Sequence, residues 1–251
     1  MLSVVVPIHD GAPFVAACWD TLCRQSRPPD EVVFVDDGSN DGSAERVREL
    51  PGAAIRRLLL CQACSGPAAA RNAGVLAAAG DMVAFLDVDD TWPEQKLERA
   101  LEVFSARPEV AVVRGLVQVR WERGAEASAP AALAAPHRRV NLGACVFRSR
   151  VFEQCGMLDP SLRFGEDVEY FSRLQRAGVG IHELDEVALY YRRHAGNMTR
   201  DSKATQQGLF EALARSLASG RGARSPGASG SPGAVSAVGG IDSIAATKKD
   251  A

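Results

Sequence analysis

The sequence lacks the features that would place the chain in a membrane or mark it for export. Its 251 residues contain no run of about 18 uninterrupted apolar residues, the length that a transmembrane helix needs. The first residues, Met1 to Pro7, have no basic segment, and their apolar run is too short for a secretory signal peptide. We therefore expect no transmembrane segment and a cytoplasmic location.

An excess of charge of one sign is also missing. The chain has 29 Lys and Arg residues against 31 Asp and Glu residues, so its formal net charge is −2. Such a balance provides no overall basic field that would hold nucleic acid or an anionic membrane surface. Because 46% of the residues are hydrophobic and 24% are charged, the composition is that of an ordinary folded domain with a substantial core. We expect no nucleic-acid partner.

The cysteines do not complete a recognisable metal or disulfide pattern. Of the six cysteines, only Cys61 and Cys64 have the CxxC spacing of a redox or metal motif. No second CxxC and no pair of histidines accompanies them, as most structural zinc sites require. The alternative interpretation, plain thiols in a reducing compartment, is the one that the sequence favours.

Short β-branched runs alternate with amphipathic stretches over the first hundred residues, and no internal repeat interrupts them. This alternation is typical of βαβ units around a mainly parallel sheet. The predicted strands are Leu2 to Ile8, Glu31 to Val35, Ile55 to Leu60 and Met82 to Leu86. The predicted helices are Pro13 to Gln25, Ala44 to Leu50, Ala68 to Ala79, and one that starts in a capping box formed by Thr91 and Glu94 and runs to about Ala106.

The second half continues the pattern less regularly. Its predicted strands are Val110 to Trp121, Val140 to Phe147 and Val179 to Tyr191, and its predicted helices are Glu166 to Arg176 and Thr205 to Leu217. Glu122 to Pro136 is rich in Ala, Gly and Pro, which predicts a mobile loop. We expect one α/β domain over residues 1–217, with a central sheet and flanking helices, and a disordered Gly-, Ser-, Ala- and Pro-rich tail over residues 218–251.

Polar clusters follow three of the predicted strands at the point where each strand ends. They are Pro7-Ile8-His9-Asp10, Asp36-Asp37-Gly38-Ser39 and Asp87-Val88-Asp89-Asp90. Ligands of open α/β sheets bind at the carboxyl ends of strands, so these clusters should converge on one edge. The spacing of Asp87 and Asp89 suits a hard divalent cation that also binds phosphate oxygens. Taken singly, however, each cluster is better explained by ordinary structural residues, such as those of turns and helix caps.

Two further candidates lie in the second half. Asp167 is at the start of a predicted helix, where an acidic side chain gains about 0.3–1 kcal/mol from the helix dipole, which is an adequate structural explanation. The functional alternative is that Asp167 accepts a proton from an attacking hydroxyl. His194 follows a strand and two arginines, and a single histidine of this kind is more often structural than a metal ligand.

In their order along the chain, these clusters resemble the family-two glycosyltransferases of the GT-A fold over nearly all of residues 2–200. The motifs that carry the resemblance are Ser3-Val4-Val5-Val6-Pro7, the run from Val35 to Ser43, Gly66 with Ala70-Arg71-Asn72-Ala73-Gly74, the run from Phe85 to Trp92, Phe147-Arg148 with Gly156-Met157-Leu158-Asp159, Gly165-Glu166-Asp167, and Tyr191-Arg192-Arg193-His194. The resemblance implies a Rossmann-like GT-A domain. Residues 1–106 would bind the nucleotide sugar, and residues 107–217 would bind the acceptor.

The resemblance also implies roles for particular residues. The nucleotide base would be lined by Pro7, Ile8 and His9 and hydrogen-bonded by Asp37, the pyrophosphate would lie near Arg71, and the ribose would contact Asp87 and Val88. Asp89 would hold Mg²⁺ or Mn²⁺ with His194 completing the site, and Asp167 would be the general base of an inverting transfer. The expected donor is a nucleotide diphosphate sugar, with a UDP-sugar favoured, and the acceptor is not indicated.

Some features depart from the family pattern or bear on alternatives. The aromatic residue and Asn that usually follow the first strand's proline are here His9 and Asp10, so stacking on the base would differ. No Gln-x-x-Arg-Trp motif of processive synthases is present, which favours transfer of a single sugar. A sugar nucleotidyltransferase would need basic residues after the first strand, and these are missing. A non-catalytic nucleotide-sugar-binding module of the same fold remains the main alternative.

Overall fold

The structure is a computed structural model, and it describes residues 1–122, 135–194, 196–197, 206–208, 210–212 and 214–215. Its strands are β1 (Leu2–Ile8), β2 (Glu31–Asp37), β3 (Arg56–Gln62), β4 (Met82–Phe85), β5 (Val112–Trp121), β6 (Cys145–Arg148) and β7 (Ile181–Arg193). Its helices are α1 (Val15–Cys23), α2 (Ser43–Arg48), α3 (Pro67–Ala77), α4 (Lys96–Ala106), α5 (Arg150–Cys155) and α6 (Glu166–Arg176). The helix predicted at Glu166 to Arg176 is confirmed at both ends.

The seven strands form one sheet in the order β3-β2-β1-β4-β6-β5-β7. The pairs among β3, β2, β1 and β4 are parallel, and so is the pair of β5 with β7, whereas β6 runs antiparallel to both of its neighbours. The predicted mainly parallel α/β sheet is therefore confirmed. The carboxyl ends of β1, β2 and β4 lie at the same edge, which is where the three polar clusters begin.

The core has two parts, one on each face of the sheet. Alternate residues of β1 belong to different parts, because successive side chains of a strand point to opposite faces: Val4 and Val6 pack with α1, and Val5 packs with α3. Nearly every residue of β1 and β2 is buried, as the unbroken apolar runs of these strands require. Of the helices with described residues, none is long and apolar enough to cross a bilayer.

Three local predictions need correction or lie outside the described residues. Thr91 does not cap a helix, because its backbone pairs with Tyr190 in β7, and α4 begins five residues later at Lys96. The strand predicted at Val140 to Phe147 is shorter, since Leu142–Ala144 forms a 3₁₀ turn that Asn141 caps with its side chain. The predicted loop at 122–136 is described only at its ends, and the predicted tail lies outside the described residues; the described residues between 206 and 215 are helical.

The close packing of α3 on β1 gives a test of the fold. A Cβ atom on Gly74 of α3 would lie 2.2 Å from Cγ1 of the buried Val5. Overpacking of this kind costs about 1–3 kcal/mol, while alanine gains up to about 1 kcal/mol over glycine in a helix. We expect Gly74→Ala to lower the free energy of unfolding by about 1–2 kcal/mol in urea titrations.

A glycine with open space around it serves as the control for this substitution. A Cβ on Gly52 would meet no atom within 4 Å, so Gly52→Ala should change the stability by less than about 0.5 kcal/mol. Equal stability of the Gly74→Ala and Gly52→Ala variants would contradict the helix-on-strand packing described here.

Candidate functional site

The ends of β1 and β2 are tied together by the first two polar clusters. Ile8 pairs with Asp36 in the sheet, and just beyond them Nδ1 of His9 lies 2.8 Å from the carbonyl oxygen of Asp37, close enough to donate a hydrogen bond. On the other side of the turn, the backbone nitrogen of Asn40 donates to the carboxylate of Asp10 over 2.8 Å. The predicted convergence of these two clusters is therefore present in the structure.

The Asp37 carboxylate holds the segment that leads from β3 to α3. Its Oδ1 accepts hydrogen bonds of 2.8 Å from Gln62 Nε2 and from the backbone nitrogen of Ser65, and its Oδ2 accepts one of 2.8 Å from the backbone nitrogen of Gly66. Asp37 is 4% exposed. These contacts give the residue a structural role that the sequence did not indicate, and its predicted bond to a nucleotide base stays a prediction.

The apolar residues predicted to line the nucleotide are mostly turned into the core. Ile8 is 1% exposed and Val88 is 8% exposed, and both belong to the core cluster on the α1 face of the sheet. Pro7 is partly buried and pairs with Val35. Contacts from Ile8 and Val88 to a ligand would therefore be made chiefly through the backbone.

Asp89 and His194 lie 105 positions apart in the sequence and meet in the structure. Nε2 of His194 is 2.9 Å from Oδ2 of Asp89, and Nδ2 of Asn197 donates to the same oxygen over 3.2 Å. Burial and the nearby Asp87 carboxylate raise the pKa of Asp89, while its hydrogen bond with His194 opposes that shift. The predicted pair is thus assembled in a place where negative charge is concentrated.

Arg71 of α3 connects two segments that lie far apart in the chain, the residues after β4 and the start of α6. Its guanidinium binds Asp87 through Nη2 at 2.6 Å and Glu166 through Nη1 at 2.8 Å. The Arg71 side chain is 8% exposed; burial opposes its charge, but the two carboxylates raise its pKa above the ordinary value. Because Glu166 begins α6, this bridge fixes the start of that helix against the end of β4.

Asp167 follows Glu166 and lies at the same junction. Burial first, and then the neighbouring Glu166 charge, raise the pKa of Asp167 to about 7. A hydrogen bond of 2.8 Å from the backbone nitrogen of Val168 opposes the upward shift, as do the positive charges of Arg139 and Arg71. A carboxyl with this pKa is available to accept a proton near neutral pH.

The residues at the end of β4 fit a divalent cation. Carboxylate oxygens are the ligands that Mg²⁺ and Mn²⁺ prefer, and imidazole is compatible with Mn²⁺. Asp90, one residue beyond Asp89, is 1% exposed, and its Oδ2 has no hydrogen-bond partner among the residues that the structure describes. Burial and the charges of Asp89 and Asp87 raise the pKa of Asp90 well above its ordinary value. The raised pKa shows that the described side chains only partly compensate the negative charge of the neighbouring carboxylates. A bound cation would compensate the rest.

Sequence reasoning gave no role to three residues that build the site. Glu166 pairs with Arg71, Asn197 binds Asp89, and Asp90 accepts a hydrogen bond from the backbone nitrogen of Arg192 over 2.8 Å. Glu166 was predictable only as a residue of the helix start, since nothing in its neighbourhood names a partner 95 positions away. The partners of Asp90 and Asn197 lie more than 100 positions away, so the local sequence does not indicate them either.

The Arg71 bridge provides a stability test. Removing one partner of a buried ion pair leaves the other charge unpaired, at a cost of about 3–5 kcal/mol. We expect Arg71→Met to lower the free energy of unfolding by about 3 kcal/mol in denaturant titrations. For comparison, Arg48→Met removes an exposed pair with Glu45 and should cost less than about 1 kcal/mol. A cost for Arg71→Met as small as that for Arg48→Met would refute the bridging role.

Comparison with known proteins bears on this arrangement. The sequence profile of the family described as glycosyl transferase family 2 matches residues 3–153. An uncharacterized glycosyltransferase of Nostoc sp. is 36% identical over 116 residues, which are 46% of this chain and 36% of that protein. The uncharacterized glycosyltransferase EpsJ of Bacillus subtilis is 26% identical over 216 residues, 79% of this chain and 63% of that protein. The chain thus spans between about a third and two thirds of these relatives.

Solved structures share the fold. The crystal structure of S. aureus TarS 1–349 in complex with UDP-GlcNAc has a TM-score of 0.69 and 18% identity, covering 86% of this chain and 65% of that one. The mannosyltransferase PcManGT from Pyrobaculum calidifontis, in complex with GDP-Man and Mn²⁺, has a TM-score of 0.69 and 21% identity, covering 90% of this chain and 65% of that one. At such identities the similarity establishes the fold alone.

Proposed function

Because the chain belongs to glycosyl transferase family 2, we propose that it transfers a sugar from a nucleotide diphosphate sugar to an acceptor hydroxyl. The observation that supports this most directly is the meeting of Asp89 with His194 beside Asp87, at the sheet edge where α/β proteins bind ligands. The structural relatives bind UDP-GlcNAc and GDP-Man, and a UDP-sugar is the donor that we favour.

The donor would lie along the ends of β1, β2 and β4. The base would contact the segment from Pro7 to His9 near Asp37, and the ribose would contact Asp87 and Val88. Arg71 would act near the pyrophosphate, but its pairs with Asp87 and Glu166 make it chiefly a positioning residue. In this arrangement Arg71 holds Asp87, which follows β4, against the start of the helix that carries Asp167.

A divalent cation, Mg²⁺ or Mn²⁺, would be held by Asp89 and His194. When bound, it stabilises the negative charge that develops on the diphosphate as the bond to the sugar breaks. The relative PcManGT was solved with Mn²⁺, which supports this assignment. The second-half residue Asn197 would orient Asp89 through its amide hydrogen bond.

Asp167 is the proposed general base. An acceptor hydroxyl has a pKa far above 7, so a carboxylate must accept its proton as it attacks the sugar carbon. Asp167 follows Glu166, whose pair with Arg71 ties the start of α6 to Asp87 at the end of β4. A single displacement of this kind inverts the anomeric centre, and the absence of a Gln-x-x-Arg-Trp motif favours transfer of one sugar at a time.

The pKa of Asp167 makes the proposed transfer dependent on pH. With a pKa of about 7 in the folded protein, the carboxyl is protonated and unable to act as a base at lower pH. We therefore expect kcat/KM to rise with pH and to level off above about 7. A value of kcat/KM that stays constant between pH 5 and 8, measured in overlapping buffers, would contradict this assignment.

A donor screen tests the proposed function itself. A ligand that binds only the folded protein raises its apparent stability, so thermal shifts with nucleoside diphosphates and their sugars, with and without Mn²⁺, should identify the donor. Release of nucleoside diphosphate is then measured with the identified donor. Binding without release of nucleoside diphosphate, under every acceptor tried, would favour the non-catalytic binding module instead.

A further inference from the structure

A cysteine of the unexplained CxxC motif lies beside the first two polar clusters. A ring nitrogen of His9, a carboxylate oxygen of Asp37 and Sγ of Cys64 all lie within 4.8 Å of one another. Within the part of the chain that the structure describes, this is the one group of three or more His, Cys, Asp or Glu side chains brought together so closely. It is separate from the pair of Asp89 and His194.

One ring nitrogen of His9 contacts a backbone carbonyl, and the other lies 3.8 Å from a carboxylate oxygen of Asp10. Its Nδ1 lies 2.8 Å from the carbonyl oxygen of Asp37, and a proton donated there leaves the lone pair of Nε2 available. A backbone carbonyl that fixes the tautomer in this way is the usual companion of a metal-ligating imidazole. The His9 side chain is 47% exposed, so an ion can reach it from solvent.

The cysteine is held in place rather than carried on a free loop. The hydrogen bonds that Asp37 accepts from Gln62, Ser65 and Gly66 fix the segment on both sides of Cys64. The backbone of Cys64 also packs against Gly38, where a Cβ would lie 2.8 Å from the Cys64 nitrogen. Gly38 has φ of +76°, a conformation that favours glycine, so the close approach of the two turns depends on that residue.

From this geometry we propose that His9, Asp37 and Cys64 form a second cation site, which binds a thiophilic divalent metal such as Zn²⁺. One sulfur, one nitrogen and one oxygen ligand, with water in the fourth position, match the tetrahedral coordination of zinc. Thiolate and imidazole favour Zn²⁺ over Mg²⁺, so the two sites select different metals. Binding forms a zinc–sulfur bond and releases the thiol proton to solvent.

Cobalt provides a direct measurement, because a thiolate bound to Co²⁺ absorbs in the near ultraviolet by charge transfer. The full chain, stripped with chelator and free of any histidine tag, is titrated with Co²⁺. We expect the wild-type protein to give this absorption, which only a sulfur-containing site can produce, and Zn²⁺ to displace it. Cys64→Ser should lose the absorption, and Cys61→Ser, which changes the other exposed thiol of the motif, should keep it.

Two further results complete the test. Because loss of a group that only supports a metal ligand already costs about 10–100-fold in affinity, His9→Ala, which removes a ligand, should weaken Co²⁺ binding by at least about 10-fold while keeping the sulfur absorption. Circular dichroism confirms that each variant is folded, and Cys64 is exposed, so its replacement by serine should leave the fold intact. The proposal is overturned if the wild-type protein shows no charge-transfer absorption, if Cys64→Ser retains it, or if Cys61→Ser abolishes it.

A consequence for activity follows, and it rests on the proposed function. Because the group lies where the nucleotide base would bind, Zn²⁺ in this site should inhibit transfer in the presence of excess Mn²⁺, and Cys64→Ser should be insensitive to it. Equal inhibition of both proteins would contradict competition at the base. Failure of the proposed function gives a different result, since it abolishes transfer in all conditions and leaves the Co²⁺ titration unchanged.

Discussion

Replacing Asp167 with asparagine should lower kcat by about 10²–10⁴-fold, the range that general-base catalysis contributes. The amide has nearly the shape of the carboxyl but cannot accept the acceptor's proton. Asp167 accepts a hydrogen bond from the backbone nitrogen of the adjacent Val168, and an asparagine carbonyl can accept that bond as well. Binding of the donor, measured by calorimetry with Mn²⁺, should change by less than about 3-fold.

The control for this substitution is Asp20→Asn. Asp20 is an exposed aspartate on α1 and is not among the residues assigned to the site, so its replacement should leave kcat unchanged. The rise of kcat/KM with pH up to about 7 should also disappear in the Asp167→Asn variant. Wild-type rates in Asp167→Asn would mean that another residue is the base.

Replacing Asp89 with alanine should abolish donor binding that depends on Mn²⁺. The substitution removes the carboxylate of the proposed cation pair, and loss of the cation removes several kcal/mol of stabilisation from the departing diphosphate. We expect a fall in kcat/KM of more than about 10³-fold and no thermal shift by nucleoside diphosphate and Mn²⁺ together. Asp89→Asn keeps an oxygen for His194 and Asn197, so it tests the charge with the local contacts preserved.

Two outcomes of the Asp89 experiments would contradict the metal assignment. One is a Mn²⁺-dependent thermal shift of wild-type size in Asp89→Ala. The other is equal loss of donor binding in Asp89→Ala with and without metal, which would indicate a damaged fold rather than a missing cation site. The control Asp20→Ala removes an exposed carboxylate of the same size and should retain the metal effect.

Asp167 also has a consequence for stability. In the unfolded chain its carboxyl has the ordinary value of 3.8, whereas its pKa in the folded protein is about 7. Between these values the folded protein binds more protons than the unfolded chain, so ionisation of Asp167 lowers the free energy of unfolding as pH rises. Strongly shifted pKa values are common in catalytic groups, which agrees with the role that we propose for Asp167.

The sequence alone determined the class of fold and most of its elements. Apolar runs of β1 and β2 identify buried parallel strands, and the spacing of acidic and apolar residues places α6 at its observed ends. The polar residues that follow the strands identify the edge of the sheet at which we propose that the donor binds, since that edge depends only on strand direction. These features are local or periodic, and local pattern is what a sequence records directly.

Only the tertiary structure decided which side chains meet. The bridge from Arg71 to Asp87 and Glu166, the contact of Asp89 with His194, and the approach of Cys64 to His9 each join segments far apart in the chain. The same packing overruled the capping box at Thr91, whose backbone pairs with β7 instead. Contacts between distant segments depend on how the strands order themselves and how the helices pack, and one sequence records neither directly.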